Sequence, residues 1–391
     1  MKNIIICIII FIFSPSVFAD TKIDKGLLQS FADQYLKQHQ VDEHISAVSI
    51  TMQTHNKKPV TVYAGNISRD NQTPVTKNNL FHFGSITKSF VSAILLQLEN
   101  IPELNFSIND NIGKYFPEYT KWHDITVKQL MNMTSGIPDY LSSQKFINDL
   151  IENSWQHRKP EELINYSLEM DLSAKPGTQY EYSNTNYILL GMLIEKLTGN
   201  SLEQELKSRF FDFYKLNDTW YFTDKINDDV YPKIVRSYIY KKITSDFIPM
   251  GKDTTDFTMT FYGAAGGIIS TTPDITRWIK ILFTPGKILD EKQLEKLTHI
   301  ISTNNAKEIE SPTPEHPTGY GLGIIQTYIP ELNDKVYGYE GITLAGRAAY
   351  LYSPVHDIVI TVAINSSVDG SEENQDHLTD LILKIYSGSI S

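Results

Sequence analysis

Ser85-Ile86-Thr87-Lys88 sets a hydroxyl and an ammonium one helical turn apart, the minimum equipment for a serine nucleophile activated by lysine instead of histidine. The same spacing recurs at Ser142 and Lys145, so it identifies nothing by itself. The ordinary roles of such a pair are a helix N-cap and a solvated lysine. A lysine takes up a serine proton only if it is neutral part of the time, and burial or neighbouring positive charge must then lower its pKa. A third group is therefore expected nearby, and Tyr182-Ser183-Asn184 is the candidate. In an extended stretch Tyr182 and Asn184 point one way and Ser183 the other. Tyr182 could exchange a proton with Ser85 and a leaving group, while Asn184 could hold Lys88 and a substrate carbonyl. The last element is Gly338-Tyr339-Glu340-Gly341. Gly341 would let a substrate backbone approach, and the Ile342 N–H could join that of Ser85 in an oxyanion hole. Without a nucleophile, the second element reads as turn chemistry and the third as a glycine-bounded strand end.

The elements around these residues decide whether they can meet. Leu80 to Phe83 read as a short apolar strand, Gly84 permits a tight turn, and Ile86, Phe90, Val91, Ile94, Leu95 and Leu98 recur with helical period up to about Asn100. Ser85 would then sit in a first helical turn, where free N–H groups favour developing negative charge. Tyr182 follows the turn residues Lys175-Pro176-Gly177-Thr178 and precedes a helix expected from near Asn186. Ala47 to Gln53 and Val60 to Ala64 read as strands after an amphipathic helix over Leu27 to Leu36. Near the other end, Gly321 to Tyr328, Lys335 to Glu340, Ala348 to Tyr352 and Ile358 to Ile364 read as strands, and His377 to Ile385 as a helix. Between them helical patterns dominate. The expected fold class is therefore α+β: an antiparallel sheet flanked by helices and completed by both chain ends, with a large mostly helical insertion. The expected limits are 20–100 with 315–391 for the sheet domain and 101–314 for the insertion. The aromatic stretch from Tyr214 to Tyr262 could form a cleft wall or a packed connector.

Residues 1–19 read as a signal peptide: Lys2, an apolar core from Ile4 to Phe13, and Val17-Phe18-Ala19 before Asp20. That core is too short to span a bilayer, and no stable membrane span is expected after cleavage. The sole cysteine, Cys7, lies inside the leader, so the remainder has neither a thiol nucleophile nor a disulfide. The expected location is periplasmic or secreted. A formal charge of −11 argues against nucleic acid and anionic membranes as partners. The histidines and aspartates, His123 and Asp124 among them, show no convincing metal-ligand spacing. Oligomeric state is not legible.

Phe83-Gly84-Ser85-Ile86-Thr87-Lys88-Ser89-Phe90 resembles the nucleophile motif of the serine beta-lactamase and penicillin-binding protein group, in its class C beta-lactamase and D-alanyl-D-alanine carboxypeptidase branch. Tyr182-Ser183-Asn184 is similar to that branch's second motif. Other matching stretches follow in order: Ile125 to Leu130, Thr134-Ser135-Gly136-Ile137, Gly266 to Ser270 and Tyr320-Gly321-Leu322-Gly323. The resemblance covers residues 45 to 365 and implies an inserted helical domain and acyl transfer. Ser85 would attack a carbonyl, Lys88 and Tyr182 would manage its proton, Tyr182 would protonate the leaving group, and water would release the acyl-enzyme. No metal or organic cofactor is called for.

The third motif departs from the family. Tyr339 stands where beta-lactamases have lysine and many carboxypeptidase-like members histidine, so it can donate a hydrogen bond but cannot pair with a substrate carboxylate as a cation would. Glu340 should face the other side of its strand, and Arg347 is the nearest replacement cation. The expected activity is that of a D-Ala-D-Ala carboxypeptidase or D-aminopeptidase on small peptides or amides, peptidoglycan-derived material among them. The alternatives are a carboxylesterase acting on a small ester, a class C-like beta-lactamase, or a non-catalytic penicillin- or cell-wall-binding protein.

Overall fold

A computed structural model describes residues 24–55, 57–153, 156–222, 226–240, 251–255, 260–344, 346–368 and 377–390. The expected signal peptide lies outside these residues. Among them no helix is long and apolar enough to cross a membrane.

Both chain ends build one sheet. Its nine strands lie in the order Val60–Gly65, Ala47–Thr54, Ile358–Ile364, Gly346–Ser353, Asp334–Thr343, Ile325–Ile329, Thr318–Tyr320, Ile300–Ser302 and Glu308–Ile309. Every neighbouring pair is antiparallel. The closing pair joins the first strand to the last, with Val48 opposite Ile364 and Thr54 opposite Ile358. Ile358–Ile364 is buried at every position, as a central strand covered on both faces must be. One face carries the helices Lys25–His39 and His377–Ile390, whose buried Leu28, Ala32, Leu378, Leu381 and Tyr386 share a core with Val48, Ile50 and Ile360. Asp24 caps the first of these helices, its side chain accepting from the Gly26 and Leu27 amides.

The opposite face meets the helical region. Its central element is the helix Thr87–Glu99, where only Gln97 and Glu99 escape burial, because its apolar residues run round the whole circumference. Each buried Ile, Leu or Phe side chain there contributes about 1.5–3 kcal/mol of transfer free energy. Phe90 stacks on Trp278, which anchors the helix Thr272–Leu282 beside it. That helix also reaches the sheet: Thr272 hydrogen bonds Ser49 and Thr51, and Thr276 donates to Thr361.

The sheet therefore takes in more chain than expected. Ile300–Ser302 and Glu308–Ile309 belong to it although they precede residue 315, and the Thr272–Leu282 helix packs directly on it. Strands of two or three residues carry no readable alternation, which is why the sequence hides them. Gly321 to Gly323 also proves to be a turn, with Gly323 at φ +76, and its strand begins only at Ile325.

Candidate active site

The turn before Ser85 is fixed on three sides. Phe81–His82 pairs with Ile268–Ser270, and the Phe83 amide extends that pairing to the Ile268 carbonyl at 3.0 Å. Gly84 then turns the chain at φ +46, a conformation that disfavours any side chain. A short 3-10 turn, Gly84–Ile86, runs straight into the Thr87–Glu99 helix. Thr87 Oγ1 locks the junction by donating to the Gly84 carbonyl at 2.7 Å and accepting from the Ile268 amide at 3.1 Å. Ser85 thus occupies the 3-10 entry of the helix rather than its first α-helical turn.

Gly341 supports this turn from the sheet. A Cβ at Gly341 would collide with the Phe83 carbonyl oxygen, and one on Gly84 would lie 2.9 Å from the Ile342 nitrogen. The backbone that approaches Gly341 is therefore the turn that carries Ser85, which corrects the expectation that the glycine makes room for substrate. A Cβ on Gly341 would also lie 3.1 Å from the Ser85 nitrogen, so the Ser85 and Ile342 main-chain nitrogens both border this contact.

Lys88 is fully buried. Its ammonium has three donors and finds three acceptors: Ser85 Oγ at 3.0 Å, Asn184 Oδ1 at 2.8 Å and the Ala265 carbonyl at 2.7 Å. None of these carries a charge. Burial consequently lowers the Lys88 pKa to about 7, with Asp139 pulling the other way. Tyr182 donates to Ser85 Oγ at 2.7 Å from the other side, and burial pushes its hydroxyl up to about 12 against the lowering effect of hydrogen bonds with Ser85 and Tyr339. A phenol with a raised pKa and an amine with a lowered one thus share one serine oxygen.

The helix carrying Asn184 begins at Asn184 itself and runs to Thr198. Asp139 caps it: its carboxylate accepts from the Asn184 amide at 3.1 Å and from Asn184 Nδ2 at 2.8 Å. That second bond orients the side-chain amide so that its oxygen faces Lys88. Burial raises the Asp139 pKa, partly offset by these bonds and by the Leu141 amide. Asp139 escaped the sequence reading, which stopped at Thr134-Ser135-Gly136-Ile137. The Pro138-Asp139 pair that follows directly, with aspartate a helix-capping residue, was the available signal.

Tyr339 lies on the cleft side and extends the hydroxyl chain. It donates to Tyr182 at 3.4 Å and bonds Tyr320 at 2.7 Å. Tyr320 was noted only as part of a motif, with no role. Arg347 does not reach the cleft. Cross-strand partners share a face, and Arg347 is paired with Ile342 whereas Tyr339 is paired with Tyr350. Arg347 is only 6% exposed, on the far face, where its guanidinium pairs with Glu43. Burial works against its charge, but Glu43, Tyr35 and Glu340 together outweigh it and its pKa rises. The expectation of a replacement cation at Arg347 is thus overturned by strand alternation. Glu340 alternates with Tyr339, helps hold the Arg347 charge and also borders the cleft.

The cleft has a volume of about 520 Å³. Ser85, Tyr182, Asn184 and Tyr339 lie on its polar side, and Leu141, Phe146, Leu150, Phe261 and Leu344 make an apolar wall. Phe261 and Tyr262 at the end of the aromatic stretch line it, while Phe247 and Phe257 lie outside the described residues. No lysine, arginine or histidine occurs among the described lining residues.

The beta-lactamase family profile matches residues 32–384, nearly the whole described chain. The chain belongs to the beta-lactamase family. A beta-lactamase of Escherichia coli K12 is 30% identical over 230 residues, 57% of this chain and 52% of the relative. Penicillin-binding protein 4* of Bacillus subtilis 168 is 24% identical over 266 residues, 66% of this chain and 54% of the relative. The chain thus spans about half the length of these family relatives. In fold it is similar to a D-amino acid amidase from Ochrobactrum anthropi SV3 complexed with L-phenylalanine amide, with a TM-score of 0.77 at 24% identity, covering 94% of this chain and 99% of that one. The architecture of this beta-lactamase-family chain, a sheet closed by both ends around a helical insertion, is that of its relatives.

Proposed function

We propose that the protein is a serine acyl hydrolase that works without a metal, acting on small amides or peptides. One observation carries the reading: Lys88 Nζ and Tyr182 OH both lie within hydrogen-bond distance of Ser85 Oγ, and burial lowers the Lys88 pKa to about 7. Ser85 attacks the substrate carbonyl carbon as its proton passes to Lys88. The oxyanion is held by the Ser85 and Ile342 N–H groups. The Lys88 proton moves through Tyr182 to the leaving nitrogen, the C–N bond breaks, and an ester to Ser85 remains. Water then adds to that ester, giving its proton back through the same pair and restoring the Ser85 hydroxyl. Asn184 holds Lys88 and orients the substrate carbonyl.

The cleft favours substrates without a free carboxylate beside the scissile bond, because the described lining offers no cation to receive one. Amides of D-amino acids with apolar side chains fit this description, and the amidase from Ochrobactrum anthropi, similar in fold, is named for such chemistry. Short acyl esters are the second reading, favoured by the same missing cation. A leader at residues 1–19 supports a periplasmic or secreted site of action, where peptidoglycan-derived peptides are available.

The test is a panel of D-amino-acid amides, D-Ala-D-Ala peptides, a chromogenic cephalosporin and short acyl esters, with mass spectrometry of Ser85 after a fluorophosphonate. Turnover of amides above peptides bearing a free carboxylate is expected. Ester turnover alone, abolished by Ser85→Ala, would replace the amidase reading with an esterase. No adduct on Ser85 would remove the hydrolase reading altogether.

A further inference from the structure

On the far face of the sheet, the two terminal helices and the sheet meet around Glu43. His39 is the last residue of the Lys25–His39 helix, and His377 is the first of the His377–Ile390 helix. Both imidazoles turn Nδ1 toward the same carboxylate oxygen, Glu43 Oε1, at 3.3 Å and 2.6 Å. Asp42 Oδ2 lies 3.2 Å from His39 Nδ1. The His39, Glu43 and His377 donor atoms all fall within 4.8 Å of one another. We propose that His39, Glu43 and His377 form a binding site for a divalent transition-metal ion, with Asp42 as a fourth donor.

The donor set suits such an ion. Two imidazole nitrogens with carboxylate oxygens are the borderline-to-hard ligands that zinc and its neighbours take, at bond lengths near 2.0–2.2 Å. Tetrahedral bonds of that length put donor atoms about 3.3–3.5 Å apart. The His39 separations from Asp42 and Glu43, 3.2 Å and 3.3 Å, are close to this spacing, and the His377–Glu43 separation would open by less than about 1 Å. A cation at the point of convergence would take the place of the Nδ1 protons that the two rings otherwise need to face one oxygen.

The surroundings are built to hold Glu43 as a ligand. Its other oxygen, Oε2, is engaged by Arg347, and the Tyr35 hydroxyl donates to the carboxylate at 3.2–3.4 Å. Such outer partners fix a ligating carboxylate in place, here with Oε1 turned toward the two imidazoles. Glu43 is buried while His39 and His377 keep 16% and 25% of their side-chain surface, which gives an ion a way in. Two carboxylates outweigh the one guanidinium, so the local charge favours a dication.

The position assigns the ion a structural task. Residue alternation puts Arg347, and Glu43 with it, on the sheet face opposite Tyr339 and Ser85. The metal would clasp the first and last helices to the sheet without entering the cleft. Sequence spacing missed the site because His39 and His377 are joined only through the closure of the sheet by both chain ends.

The experiment uses untagged, chelator-treated full-length protein titrated with Zn²⁺ and with Co²⁺. Saturable one-to-one binding, visible d–d absorption from bound Co²⁺, and a Zn²⁺-dependent rise in Tm are expected. His39→Gln and His377→Gln should each weaken Zn²⁺ binding by at least about tenfold, with the hydrolysis rate of the apo protein unchanged. Folded His377→Gln that binds Zn²⁺ as the wild type does would overturn the proposal. If that variant fails to fold, the wild-type Co²⁺ spectrum decides, and the absence of d–d bands at saturation overturns it.

Discussion

Ser85/Lys88 and Ser142/Lys145 share one spacing and almost nothing else. In the first, a 3-10 turn flows into a buried helix, and the lysine meets only neutral acceptors inside the protein. In the second, Ser142 closes a separate 3-10 turn, Tyr140–Ser142, and donates to the Asp139 carbonyl at 2.7 Å. Lys145 lies on the next helix, Gln144–Glu152, with 64% of its side chain exposed and its ammonium 2.5 Å from Glu169. Solvent and a carboxylate surround that ammonium, whereas burial among uncharged acceptors destabilises the charge of Lys88. Spacing supplies the pair, and desolvation makes one of them a candidate base. Arg347 sharpens the lesson. It is buried like Lys88, but it meets the carboxylate of Glu43 and stays charged. Burial alone does not make a reactive cation; burial without a counter-ion does.

The largest break in the comparison comes from the two serines. Ser85→Ala should lower the hydrolysis rate by about 10³-fold or more, because it removes the hydroxyl proposed to form the covalent intermediate. Ser142→Ala loses one exposed hydrogen bond and should leave the rate within about twofold. Side-by-side kcat/KM values for the two variants check both. Equal losses would mean that the Ser85 environment confers nothing.

Which parts of this contrast were legible beforehand follows from the range of the interactions. Ser85 and Lys88 lie three residues apart on one helix, and Tyr182 and Asn184 two apart, so short spacings put each pair on a shared side. The strand Ile358–Ile364 was readable to the residue because a central strand is continuously apolar. Arg347 was misjudged because its side of the sheet depends on register, and a one-residue difference reverses every side chain. Asp139 was missed because its link to Asn184 bridges 45 residues, from one short 3-10 turn to the start of a separate helix. Gly341 was recognised as a place of close approach, but only the folded chain reveals that Phe83 is what approaches.

A subtler break acts on Lys88 through Asp139. The Asp139 charge raises the Lys88 pKa against the lowering effect of burial, which leaves it at about 7. If neutral Lys88 is the base, kcat/KM should rise with pH through about 7 in the wild type. Asp139→Asn removes the charge and keeps one carbonyl acceptor for Asn184. The Lys88 pKa should fall further, so the rising limb should move to lower pH. A limb that stays in place while the plateau drops would mean that Asp139 acts only by positioning Asn184.

The smallest effect is expected at Lys145, and it tests the other half of the comparison. Lys145 and Glu169 are both more than half exposed, so their attraction is weakened by solvent and offset by the entropy of holding two long side chains together. Lys145→Met should therefore change stability by less than about 1 kcal/mol, read as a small shift in the denaturation midpoint that shrinks further in high salt. Its pH–rate profile should overlay that of the wild type, because no proton on this lysine faces the cleft serine. Phe146, its neighbour in sequence, does line the cleft, so a change in KM without a change in the pH profile would report a shift of the Gln144–Glu152 helix. A displaced pH profile would be harder to reconcile, since it would couple an exposed, carboxylate-paired ammonium to Ser85 across the apolar wall.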